Sequence, residues 1–206
     1  MADPGFRAEQ WVGRYAPHVQ PLNRLVDDLI GYEDRGWLPY VAPVHGGARA
    51  RVLSVLRDPG PRTLVEGGSG MLCVENDDPT AETQAGLFDG AGIAPADVTP
   101  WNAYPWYVNR APRGAELRAG VEPLVQVVER MPALRVVLLQ GRHAQAGWRR
   151  LRRAHPGLEG ERELAVVATF HPGRQALWSP DPAVRAARAA HREGAYADVT
   201  RLLGEG

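Results

Sequence analysis

The sequence predicts an α/β fold of three layers, α/β/α, around a central four-stranded parallel sheet. Two observations lead there. Four short runs, Val52 to Leu56, Val98 to Asn102, Arg135 to Gln140 and Leu164 to Phe170, are almost continuously apolar, as strands buried on both faces are. Amphipathic helical segments alternate with them, so right-handed crossovers are the expected connections.

Taken in order, Leu22, Leu25, Val26, Leu29 and Ile30 fall at i, i+3, i+4, i+7 and i+8, predicting a helix that stops near Gly36. The stretch WLPYVAPVHGGARA (37–50) reads as an irregular connection, because its prolines and paired glycines break both periodicities. The first strand ends abruptly at Arg57, Asp58, Pro59, Gly60 and Pro61. After a glycine-rich polar segment, Pro79 and Thr80 open a helix that carries Leu87 and Phe88 and closes at Gly90 and Gly92. Leu117, Val121, Leu124, Val128 and Met131 predict one helix ended by Pro132. From Gly141 to Arg153 a further helix turns Ala144, Trp148 and Leu151 inward and Arg142, Arg149 and Arg153 outward. An alanine-rich helical tail begins at Pro182, with a break expected at Gly194. The expected organisation is one domain over 1–206: an N-terminal helical brace (1–48), a core (49–178) and a C-terminal helical tail (179–206).

The 206 residues balance 24 basic against 24 acidic side chains, and every basic one is arginine. Neutrality argues against a uniformly basic surface, yet arginine's planar fork grips phosphate, so its distribution decides. One cysteine excludes an intramolecular disulfide, a four-cysteine zinc site and a cysteine-ligated iron-sulfur cluster. No histidine pair has H-x-x-x-H spacing, there is no GxxxxGK[ST], and no G-x-G-x-x-G follows a strand, so no metal and no cofactor is expected. The start MADPGFRAEQW has no apolar leader region, and no apolar run approaches about 18 residues. The expectation is a cytoplasmic protein without a membrane partner.

Ligands of open parallel sheets bind outside the carboxyl ends of the strands. Those ends deliver Asp58, Asn102, Gln140 with Gly141, and His171. An acid, an amide, a glycine-opened helix start and an imidazole on one rim suit water activation, base-edge recognition, phosphate contact and stabilisation of a developing anion. Each also has an ordinary reading: Asp58 before Pro59 as a turn residue, Asn102 as a loop cap, His171 as a satisfied structural histidine, the arginines of 142–153 as a solvated helix face. GGSGM (67–71) is no nucleophile elbow, since Met71 stands where G-x-S-x-G needs glycine.

The rim motifs resemble the uracil-DNA glycosylase superfamily over roughly residues 50–177. LRDPGP (56–61) is similar to its first motif and FHPGRQAL (170–177) to its second, an H-P-S turn with a DNA-wedging loop. SGMLCVENDDPTAE (69–82) resembles the segment flooring the base pocket, VTPWNAYPW (98–106) the strand whose Asn reads the base, and LLQGRHAQ (138–145) the glycine turn that meets phosphate. The resemblance implies that Asp58 orients or deprotonates the attacking water, that neutral His171 donates a hydrogen bond to the uracil O2, and that Asn102 reads the flipped base. It implies base contact by Gly60, Met71, Leu72 and Cys73, and DNA contact by Ser69, Gly141, Arg142, His143, Gly173, Arg174 and Gln175. Gly60 stands where the family's usual pattern has a tyrosine against C5 of the base, which implies a broad substrate range. Leu56 replaces a common glycine, Gly173 the serine of H-P-S, and Gln175 the leucine wedge. The function expected is that of a cluster-free, monofunctional and monomeric DNA glycosylase acting on uracil or another damaged base. With no lysine, strand cleavage through a Schiff base is not expected. The alternatives are a nucleic-acid-binding member of the fold with little or no catalysis, and a small-molecule α/β hydrolase.

Overall fold

The computed structural model describes residues 1–205. In chain order the elements are α1 (Pro4–Val12), α2 (Gln20–Leu29), β1 (Tyr40–Val41), β2 (Val52–Leu56), β3 (Met71–Leu72), α3 (Pro79–Gly90), β4 (Val98–Asn102), α4 (Gly114–Ala119), α5 (Val121–Glu129), β5 (Val136–Gln140), α6 (Arg142–Ala154), α7 (Leu158–Glu161), β6 (Ala165–Thr169) and α8 (Pro182–Gly204). The main sheet is parallel, in the order β4-β2-β5-β6. Its register sets Leu56 opposite Asn102 and Gln140 opposite Thr169.

Strand alternation sorts the core into two layers. Leu53, Val55, Val137, Leu139 and Val166 pack with α2, α4, α5 and α6 on one face, where Leu25, Leu124, Val128, Trp148 and Leu151 are buried. Val52, Val136, Leu138, Ala165 and Val167 meet Phe88 of α3 and Tyr196 and Val199 of α8 on the other. The three-layer α/β/α expectation holds. Inside the second face lies a polar network: Gln84 and Gln140 both donate to Ser54 Oγ, at 3.0 and 2.7 Å, and Tyr196 donates to Gln140 Oε1 at 2.7 Å. Gln140, read from sequence as a rim residue, is therefore a core staple joining β2, β5 and α8.

Several elements differ from the sequence reading. The helix expected over 117–131 is two, α4 and α5. Pro123 has no N–H for the Ala119 carbonyl, and a Cβ on Gly120 would stand 1.9 Å from Ala103 O, so the chain must turn there with a glycine. The first helix ends at Leu29, because Gly31 takes φ +74. The irregular stretch 37–50 contains β1, which pairs in parallel with β3, Tyr40 to Met71 and Val41 to Leu72. Asn23 completes that short sheet by accepting from Val41 N and donating to Val41 O. α1, unforeseen in sequence, is capped by Asp3, which accepts from Phe6 N. α8 runs unbroken through Gly194, where a glycine costs roughly 1 kcal/mol but meets no obstacle. Among the described residues no helix is long and apolar enough to cross a membrane.

His45 ties three loops together: Nδ1–H points to Pro95 O at 3.3 Å, and Nε2 accepts from Val74 N at 3.2 Å. Burial lowers its pKa to about 4. An unfolded histidine protonates near 6.5, so stability is fully present above that value and falls as the pH drops toward about 4. Thermal or urea unfolding across this window should show a loss of up to about 3 kcal/mol from His45. His45→Gln, which keeps a donor and an acceptor, should flatten that slope; an unchanged slope refutes the assignment.

Candidate active site

Because β4, β2, β5 and β6 are parallel, their carboxyl ends form one rim, and the residues beyond them meet in a fixed order. Asn102 comes first, then Arg57 and Asp58, then Gly141 to His143, then His171. β4 continues beside β2, as Ala103 N donates to Leu56 O at 2.9 Å and Tyr104 N to Arg57 O at 3.1 Å, which holds Asn102 against the Arg57–Asp58 turn. On the other side Gly141 N donates to Thr169 O at 2.8 Å, and at φ +88 its missing Cβ would sit 3.0 Å from His171 Cβ. Only glycine lets the two loops come that close.

The Asp58 side chain is 1% exposed. One oxygen, Oδ1, accepts from Arg57 Nε; the other, Oδ2, is buried without a partner. Burial raises the Asp58 pKa against the opposing pull of Arg57. Asn102 is likewise buried, and its Nδ2 has no partner. An unpaired buried polar atom costs about 1 to 3 kcal/mol, so two such atoms on adjoining strand ends mark a place where the fold has left hydrogen-bonding capacity unused.

His171 is tuned differently. Gly173 N donates to its Nδ1 at 3.0 Å, so in the neutral ring the proton sits on Nε2, which is a donor. Burial, aided by the charge of Arg57 and opposed by Asp78, lowers its pKa to about 4. Asp78 also caps α3, accepting from Thr80 N and Ala81 N. A Cβ on Gly173 would crowd His171 Nδ1 at 3.0 Å and approach Thr80 Oγ1 at 3.6 Å, which joins the start of α3 to this loop. The neighbouring His143 has its pKa lowered by burial and by Arg142 and Arg57.

The remaining expected residues divide. Gly60 faces open space, while Arg142, Arg174 and Gln175 are exposed on the same rim. Ser69 is corrected: its hydroxyl donates to Met71 O at 3.0 Å and accepts from Met71 N, and the residue is 3% exposed, so it holds a turn and presents nothing to a phosphate. Met71 and Cys73 are core residues packed with Met1 and Ala42, and Leu72 belongs to the main core. Burial pushes the Cys73 thiol up to about 12. Among the described residues no group of three His, Cys, Asp or Glu side chains is placed to hold a metal.

Sequence reasoning missed Arg57 and Asp78, whose charges act on His171 from either side. Both adjoin residues it singled out, and their polarity alone carried no signal. Replacing Arg57 by Gln removes a cation from both neighbours, so the pKa of Asp58 and that of His171 should each rise. An NMR pH titration of the His171 ring reads this directly, with wild type titrating near 4 as the Nε2–H tautomer; an unmoved midpoint in Arg57→Gln would sink the account. Comparison with protein-family models finds no match for this chain, and neither does comparison with curated proteins.

Proposed function

We propose that the protein is a monofunctional DNA glycosylase, working as a monomer in the cytoplasm, that hydrolyses the N-glycosidic bond of uracil or another damaged base flipped out of DNA. The observation that carries the reading is the pairing of a buried carboxylate with one free oxygen, Asp58 Oδ2, and a neutral imidazole whose Nε2–H is left to donate, on one strand-end rim. In the proposed reaction, Asp58 Oδ2 accepts a hydrogen bond from water and aims it at the sugar C1′. The C1′–N bond breaks with its electron pair passing to the base, a C1′–O bond forms, and the water proton leaves by way of Asp58 with the base. His171 Nε2–H stabilises the carbonyl oxygen on which negative charge gathers, at no cost in reorganisation. Asn102 Nδ2 is the free donor for the pyrimidine edge, and the open space at Gly60 admits a substituent at C5. In this reading Arg142, at the start of α6, and Arg174, after His171, both exposed, meet the flanking phosphates.

Excision from oligonucleotides carrying uracil, a thymine mismatch, hypoxanthine or xanthine, read as alkali-labile abasic sites, tests the reading. Asp58→Asn and His171→Ala should each slow release by about 100- to 1,000-fold. The acid limb of the wild-type rate should lie above the ordinary aspartate range, because Asp58 must be ionised and its pKa is raised. Release of no base by the wild type, with salt-sensitive DNA binding intact, would replace this reading with that of a binding protein.

A further inference from the structure

The first half of α8 runs past the end of the sheet beside the loop that follows His171. Three arginines one turn apart grip that loop by its main chain: Arg192 donates to Pro172 O at 3.2 Å, Arg188 to Trp178 O at 2.5 Å, and Arg185 to Ser179 O at 2.6 Å. None of them, nor Arg174, has a carboxylate within 4.0 Å among the described residues. From 171 to 192 the chain carries these four arginines against Asp181, whose carboxylate caps α8. The surface is therefore locally cationic in a protein of zero net charge.

It is also aromatic. A groove of about 370 Å³ opens between Phe170, Val184, Ala187, Arg188 and His191. Phe170 and His191 meet edge to face at 5.5 Å, and the Arg188 guanidinium lies 5.8 Å from the Phe170 ring. Beside the groove stands Trp178, 68% exposed, in a loop whose carbonyl Arg188 holds. Of the six tryptophans it alone is exposed. An exposed indole whose main-chain carbonyl is held by Arg188, near guanidiniums with no acid partner, matches the chemistry of a base that stacks while its phosphate is neutralised. An acidic peptide would satisfy the charges but leave the indole and the groove unused.

We infer that this surface is a stacking subsite for an unpaired nucleotide of the DNA strand, with Trp178 and the Phe170–His191 groove taking bases and Arg174 and Arg188 taking phosphate. It rests on the glycosylase reading only in placing that nucleotide beside the reacting one, since Phe170 precedes His171.

The test uses an undamaged, labelled oligothymidylate and an all-abasic chain of the same length, so that no excision is needed. Wild type should bind the oligothymidylate about tenfold more tightly than the abasic chain, with quenching of Trp178 emission. Trp178→Leu and Val184→Glu, both at exposed positions, should lose that preference while unfolding at the wild-type temperature. Equal binding of the two chains by wild type, or full retention of the preference in both variants, overturns the subsite even if uracil is excised. A preference that persists in a protein excising no base supports the subsite and refutes the glycosylase reading alone.

Discussion

Strands that run the same way must all end on the same edge, and the rest of this molecule follows from that constraint. A parallel sheet needs a long crossover after every strand, so each carboxyl end is followed by a loop free to carry chemistry while a helix returns the chain. The order β4-β2-β5-β6 fixes who neighbours whom. Asn102 falls beside Asp58 because β4 borders β2, and His171 lies two strand spacings, roughly 10 Å, from the end of β2. Gly141 fills the position between them, and its missing side chain is what lets the His171 loop close over the end of β5.

Arg57 then sets the electrostatics of the rim with one charge. Its guanidinium is hydrogen-bonded to Asp58 and depresses the pKa of both His171 and His143. Its charge opposes the upward shift that burial gives the Asp58 carboxyl and adds to the downward shift that burial gives the His171 imidazole. One cation thus acts on an acid and an imidazole at once, against burial at the first and with it at the second. Asp78 pulls on His171 in the other direction, but from a cap whose oxygen is already engaged by Thr80 N and Ala81 N. The balance leaves His171 neutral across the physiological range.

The sheet was legible in the sequence because strands buried on both faces leave continuous apolar runs, and all four appeared within a residue or so of their final bounds. The rim was legible for the same reason: Asn102 ends its run, His171 directly follows its own, and Asp58 comes one residue after Arg57 closes the first. What stayed hidden depended on contacts between distant segments. β1 and β3 are two residues each and exist because Asn23, from α2, supplies the hydrogen bonds a third strand would give. The break at Gly120 reflects a carbonyl from β4's end pressing on the helix, which no helical periodicity records. Ser69 was expected to contact DNA only through the resemblance, and no local pattern in the sequence showed that its hydroxyl folds back onto Met71. The arginines at 185, 188 and 192 share one helical face, but only the fold reveals that their partners are carbonyls rather than acids.

The interior and the rim treat polar groups in contrasting ways. Four residues before Asp58 on the same chain, Ser54 accepts two hydrogen bonds within the Gln84–Gln140–Tyr196 network, so the buried polar atoms there are engaged. His45 has both ring nitrogens engaged, whereas His171 has one engaged and one left over. Asp58 Oδ2 and Asn102 Nδ2 are left over too. Asn76 Oδ1, Trp101 Nε1, Thr169 Oγ1 and Arg192 Nε are also without a partner, but Asp58 and Asn102 are neighbours across the ends of β2 and β4, each bearing a cost of roughly 1 to 3 kcal/mol. Stability alone would favour apolar replacements at those positions. Asp58 and Asn102 adjoin at the strand ends where parallel sheets bind their ligands, and there an incoming hydrogen-bonding edge would recover that cost.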